Sequence, residues 1–312
     1  MTNTAPADVM EFLEAIEAGN KWRNQEILSE LSAAANALNR VGIEPVILKG
    51  TAHLLAGVYS RLSDRFMLDL DLLVEDGRFR RAADTLLAAG FSADASNKPL
   101  ELRITHHYPP LRRPGQIEIE LHRYLGLGVC RKMLTAAEVV RDSTLCVVGG
   151  ARVRIPSPEH LVVHHVMHSQ LQHGPWESVA PSLRAMTDCL LLSRRFGTTI
   201  PWTRIDERFR EHGERGTLLV YLSEVHDTLG MENTLVAPLG LVNRLRKSRR
   251  RLLRRWGALR HLDLVYLAGV LFGYRLGRLP LLFETPGGIG YLLRRPFTLQ
   301  LYRDLWADFK NR

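Results

Sequence analysis

At 312 residues, with 46% hydrophobic and 24% charged side chains, the chain has the composition of a folded globular protein. It carries neither repeats nor low-complexity stretches, which excludes solenoid and disordered classes. The net charge of +9 rests on arginine, because lysine occurs only at 21, 49, 98, 132, 247 and 310. Arginine suits phosphate recognition, although a G+C-rich genome produces the same bias. Cys130, Cys146 and Cys189 are odd in number and show no C-x-x-C spacing, and the first residues lack the basic and apolar regions of a signal peptide. Together these predict a cytoplasmic protein in a reducing setting.

In chain order, Ala7 to Gly19 and Trp22 to Arg40 predict two helices ended by Gly19 and Gly42. The second has apolar residues at 27, 28, 31, 34, 35 and 38, a helical face aimed at a sheet. Pro45 to Leu48 predicts a short buried strand, followed by the Lys49-Gly50-Thr51 turn and a helix from Ala52 to Tyr59. A strand, a glycine turn and a helix start offer backbone N–H groups to an anion, with Lys49 adding a charge and Thr51 a hydroxyl.

Leu68 to Val74 then alternates at period two, placing Asp69 and Asp71 on one strand face and Leu70 and Leu72 on the other. Two like charges side by side on a strand are unfavourable. A divalent cation, Mg²⁺ or Mn²⁺, with a substrate phosphate is the simplest compensation. On this reading, neutralising either aspartate is expected to leave stability level or to raise it.

Arg78 to Ala89 predicts a helix closed by Gly90, and Arg103–Tyr108 with Gln116–His122 a hairpin around Arg113-Pro-Gly. In its second strand Glu118, Glu120 and His122 share a face. A further hairpin, Thr144–Val148 and Arg152–Ile155, turns at Gly149-Gly150. From Ser157 onward the pattern is helical. Ser157 caps a helix with Pro158 at its first position. That helix carries His160, His164, His165 and His168, with His173 beyond, suited more to contacting substrate than to a dedicated metal site. Asp188 on the next helix is a partner for one of these histidines or for an arginine.

These residues resemble a known family. Leu48-Lys49-Gly50, Arg65 and Asp69-Leu70-Asp71-Leu72-Leu73-Val74 look like the LKG…R…DiDllv signature of the uncharacterised bacterial nucleotidyltransferase-like proteins, members of the polymerase-β-like superfamily. Glu120 to Leu125 is similar to that family's DLHWRL, Ser157 to His168 to its sPed-L…lH helix, and Leu183 to Leu191 to its LrwlxDla-L helix. The likeness covers about residues 25 to 205, with Glu120 standing where the family usually has Asp and Thr51 near the wider superfamily's Ser. It implies an α+β nucleotidyltransferase core over residues 1–156, a mixed sheet with flanking helices, and an α-helical domain over 157–312. It further implies transfer of a nucleoside monophosphate from an NTP to an acceptor, with release of pyrophosphate. Asp69, Asp71 and Glu120 would hold the metal, Lys49, Gly50 and Thr51 the triphosphate, and His168 would contact nucleotide or acceptor. Arg65 would either neutralise phosphate or orient the carboxylates. The acceptor is open among small molecules, peptides, glycan precursors and RNA. A metal-dependent glycosyltransferase using the D-x-D, and a nucleotidyltransferase-fold module without catalysis, are the alternatives.

Residues 244–256 form a dense basic helix, read as a solvated face rather than a peripheral membrane contact. Leu262–Phe283 is apolar but too interrupted to span a bilayer, and 294–310 predicts a last amphipathic helix holding Trp306.

Overall fold

The computed structural model describes residues 6–93, 106–172, 182–235 and 239–255. His173, the start of the first expected hairpin strand at 103–105, Trp256, the apolar stretch 262–283 and the expected helix at 294–310 lie outside them. Seven strands form one mixed sheet: β1 (Val46–Ile47), β2 (Asp69–Leu73), β3 (Ser92–Ala93), β4 (Leu111–Arg112), β5 (Glu118–His122), β6 (Thr144–Val148) and β7 (Ala151–Ile155). Their spatial order is β3-β4-β5-β2-β1-β7-β6. The β2–β5 and β1–β7 pairs are parallel, and β1–β2 and both hairpin pairs antiparallel. In the β6–β7 hairpin the two turn glycines have φ of 53° and 81°, the left-handed conformations that a tight two-residue turn requires.

One face of the sheet is covered by α1 (Ala7–Arg40) and α3 (Asp76–Ala88). The expected break at Gly19 does not occur: α1 runs through it as one helix. A single helical glycine costs only about 1 kcal/mol against Ala, and the residues on either side are good helix formers. The expected face is the buried one, with Ile27, Leu31, Ala34, Ala35 and Leu38 inside the core. Between apolar rungs α1 places polar side chains that fasten distant segments. Asn24 Nδ2 donates to the carbonyls of Leu62 and Arg65, buried Glu30 pairs with Arg113, and Asn39 bonds both ways with the Arg152 backbone.

The other face carries α2 (Lys49–Leu55) and α6 (Pro158–Met167), which pack together. Before α6 lie two short helices, α4 (Val129–Met133) and α5 (Ala136–Arg141). Ser157 Oγ accepts from the His160 amide, the expected cap of α6. A π-helical turn, His168–Gln172, follows α6. Then come α7 (Leu183–Phe196), α8 (Trp202–Glu211), α9 (Arg215–Leu229) and the basic α10 (Leu241–Arg255). The hydrophobic core is continuous from Ile27 on α1 to Met231, on both sides of the boundary expected at 156. Part of the basic helix is structural: Arg250 makes a 2.9 Å pair with buried Glu224, and Lys247 reaches Asp227 at 2.6 Å. Among the described residues no helix is long and apolar enough to cross a membrane.

Candidate active site

The two edges of the site are set by strand register. β2 and β5 run parallel with Asp69 opposite Glu118 and Asp71 opposite Glu120, so carboxylates of both strands face the same way. That face looks into a cleft of about 640 Å³ roofed by α6 and its π turn. Asp69 and Glu120 line the cleft, as do Lys49, Gly50 and Arg65.

Asp71 is not a bare charge beside Asp69. It is only 2% exposed, with Lys49 Nζ at 2.6 Å and His122 Nε2 at 2.8 Å from its Oδ1. Glu120 Oε2 lies 3.4 Å from the same ammonium and 3.3 Å from the same imidazole. Asp71, Glu120 and His122 therefore bring donor atoms within 4.8 Å of one another. Asp69 stands outside this trio. The expected set of Asp69, Asp71 and Glu120 is thus drawn together only in its second and third members. His122, two residues past Glu120 on the same face, takes the third place.

The charges of this cluster are tuned by its own contacts. The His122 bond, helped by the Lys49 charge against the cost of burial, holds the Glu120 carboxyl well below the usual range. Burial works against charge on His122 and Lys49, but their carboxylate partners outweigh it and raise both. Asp69 shifts the opposite way, raised first by burial and then by repulsion from Asp71. Neutralising Asp71 would therefore remove two partners along with the repulsion on Asp69, whereas neutralising Asp69 would remove chiefly a charge that burial disfavours. His122 Nδ1 is buried without a hydrogen-bond partner. Metal-bound imidazoles almost always donate their second nitrogen, so His122 suits a donor onto the carboxylates better than a metal ligand. The carboxylate oxygens of Asp71 and Glu120, with Asp69 on the cleft wall, are hard donors that fit Mg²⁺ or Mn²⁺.

The turn before α2 differs from expectation. The helix begins at Lys49 itself and ends at Leu55, short of Tyr59. Gly50 is in close contact: a Cβ there would meet Met67 Sδ at 2.6 Å, so the methionine would have to move. Thr51 is 1% exposed with its hydroxyl 3.9 Å from Met67 Sδ. It faces the interior, not the cleft, so the expected phosphate contact is not made by this hydroxyl.

Arg65 is oriented from the helical side. Its Nη2 donates to Asp188 Oδ2 at 2.8 Å and its Nη1 to the Phe66 carbonyl, while Nε finds no acceptor. It does not orient Asp69 or Asp71. Asp188 also accepts from the Tyr59 hydroxyl and lies 3.7 Å from His53 Nδ1. Burial pushes its carboxyl up, and the neighbouring His53 and Arg65 more than reverse this.

The roof is imidazole-rich. His160, His164, His165 and half-buried His168 all line the cleft. Burial lowers the first three, His164 strongly and His165 to about 4, so these rings are neutral at pH 7. His165 Nε2 sits 2.7 Å from the Tyr221 hydroxyl, whose proton goes to the Ala185 carbonyl. From the sheet side come His106 and His107, their rings 5.6 and 5.5 Å from that of His122. Burial with the neighbouring imidazoles pushes His106 down to about 2. His53, His106, His107 and His122 were the site residues that sequence reasoning passed over, and only His122 had a visible signal, its two-residue step from Glu120.

A model of the family described as uncharacterised nucleotidyltransferase matches residues 1–230. The antibiotic-resistance factor ANT(2'')-Ia is 14% identical, with 64% of this chain and 97% of that chain covered at a TM-score of 0.41. An antigenic nucleotidyltransferase-like protein from Paracoccidioides brasiliensis is 17% identical, with 67% of this chain and 94% of that chain covered at 0.41. Comparison with curated proteins gave no match. With most of its length matched by that model, the chain belongs to the uncharacterised nucleotidyltransferase family.

Proposed function

We propose that the protein transfers a nucleoside monophosphate from an NTP to an acceptor, with a divalent cation, Mg²⁺ or Mn²⁺, bound at the carboxylates. The observation that carries this reading is the in-register pairing of Asp71 with Glu120 at the base of a cation-lined cleft. The acceptor's hydroxyl oxygen forms a bond to the α-phosphorus as its proton is lost to water, the bond from that phosphorus to the pyrophosphate oxygen breaks, and pyrophosphate leaves with the bonding pair. Asp69, Asp71 and Glu120 would hold the cation, which supplies charge for the entering and leaving oxygens. Lys49 and Arg65 lie on the cleft wall where triphosphate oxygens need positive charge, with Gly50 keeping the backbone close. His168 and the neutral imidazoles of α6 would contact base, ribose or acceptor. The three free cysteines fit a cytoplasmic setting.

The acceptor is a small hydroxylated molecule, a peptide or a glycan precursor in this reading, with RNA as a further class. Incubation with each α-labelled NTP and Mg²⁺ or Mn²⁺, alone and with cell extract, tests it. Label moving to an acceptor together with pyrophosphate release supports transfer, and release of neither with any NTP defeats it. A second reading, a module that binds nucleotide without catalysis, is favoured by one observation: Asp71 Oδ1 is already paired with both Lys49 and His122. Membership of a nucleotidyltransferase family leaves the glycosyltransferase alternative without support.

A further inference from the structure

A cation already stands between the carboxylates of β2 and β5, and it belongs to the chain. One ammonium, Lys49 Nζ, reaches Asp71 Oδ1 at 2.6 Å and Glu120 Oε2 at 3.4 Å. Its backbone is unusual as well. Among the described residues Lys49 is the only non-glycine with positive φ, at 48°, a conformation L residues rarely adopt and one that clusters at functional sites. The strand side is held by the Leu48 amide donating to the Asp71 carbonyl at 3.0 Å. On the helix side Gly50 is pressed against Met67. The chain is thus pinned on both sides of a strained residue whose side chain enters the carboxylate cluster.

We propose that Lys49 is a tethered counter-cation occupying the divalent-cation position, so that the site takes the metal as a complex with a nucleoside triphosphate rather than as the free ion. This rests on the nucleotidyltransferase reading above. A free dication entering alone would leave the ammonium beside it, two like charges at partly buried carboxylates. A triphosphate changes that balance, because its oxygens accept the ammonium as the cation takes the carboxylates. By linkage, nucleotide then raises metal affinity and metal raises nucleotide affinity by one factor.

The test uses the full chain and the free-ion electron paramagnetic resonance signal of Mn²⁺, with and without a non-hydrolysable NTP analogue. Folding of each variant is checked by circular dichroism. Lys49→Met is expected to bind free Mn²⁺ at least tenfold tighter than the unaltered protein, and the analogue's enhancement of Mn²⁺ binding should shrink by at least tenfold. Lys49→Arg, which keeps the charge, should bind free Mn²⁺ as weakly as the unaltered protein. A second measurement needs no destabilising variant: reductive ¹³C-methylation of lysines, with the Lys49 signal assigned by its loss in Lys49→Arg. That signal should move when Mg²⁺ and analogue are added together and stay in place with Mg²⁺ alone. Unchanged or weaker free-Mn²⁺ binding by folded Lys49→Met overturns the proposal, as does a Lys49 signal that moves fully with Mg²⁺ alone. Where both proteins bind Mn²⁺ equally, only the counter-cation fails. Where neither binds it, with or without analogue, the nucleotidyltransferase reading fails as well.

Discussion

Neutralising the two aspartates of β2 should have opposite effects on stability, although they lie two residues apart on one strand face. Asp71→Asn keeps the shape but removes the charge that Lys49 and His122 both address. A hydrogen bond to a charged group contributes about 1.5–3 kcal/mol and a neutral one about 0.5–1.5. Two such bonds weakened to the neutral value cost about 2–3 kcal/mol. For a folded unit of about 150–250 residues about 1 kcal/mol corresponds to roughly 2–4 °C, so Tm should fall by about 4–12 °C. Asp69→Asn removes a charge that burial and Asp71 already disfavour, so its Tm should hold or rise. Differential scanning calorimetry of the metal-free proteins at pH 7 compares them directly. Both variants should lose transfer activity. Equal loss of stability in the two, or a neutral Asp71→Asn, would refute the reasoning that the carboxylates are compensated unequally.

Glu120→Gln should keep nucleotide binding but lose transfer, while Glu120→Asp should retain activity; calorimetric binding and a pyrophosphate assay separate these, and indifference to both favours the non-catalytic module. Asp188→Ala leaves the Arg65 guanidinium buried without its partner, a loss of about 3–5 kcal/mol; chemical denaturation should show most of it recovered in an Arg65→Met, Asp188→Ala double variant. His165, neutral in the fold down to about pH 4, makes stability fall with acid. Its folded pKa lies below the unfolded value of about 6.5, so stability is whole above 6.5 and is lost on descent towards 4. The slope from this group is about 1.4 kcal/mol per pH unit and its total about 3 kcal/mol, read as a Tm series that becomes less steep in His165→Gln while His106, His160 and His164 keep the remainder.

Strand alternation made β2 and β5 legible, and hydrophobic period made the buried face of α1 legible, because both patterns are local. The pairing of Asp71 with Glu120 came from resemblance, since no local pattern states which strands are neighbours. The inward turn of Thr51 was hidden because it depends on Met67, sixteen residues away. The imidazole lining was hidden for a similar reason. His53 and the His106–His107 pair lie on separate elements, and only the closing of α6 over the sheet makes them one surface. Asp188 was placed on its helix correctly, and its choice of Arg65 settles between the two partners left open.

The polar rungs of α1 bear on how the chain folds as it is made. Glu30 waits for Arg113, Ser32 for Gly149 and Asn39 for Arg152, contacts separated by 83, 117 and 113 residues. β1 likewise pairs with β7, joining Val46 to Arg154. During synthesis, at about 5–20 residues per second, Glu30 lacks its partner until Arg113 has left the ribosome, and Ser32 and Asn39 lack theirs until the β6–β7 hairpin has. Closing loops of this length is slow, so a nascent chain paused before residue 155 presents the stretch of α1 that β6 and β7 cover without those strands. Ribosome-bound chains halted at residue 140, before even the tunnel is counted, should accordingly be digested by protease at α1, and chains extended well past 155 should resist.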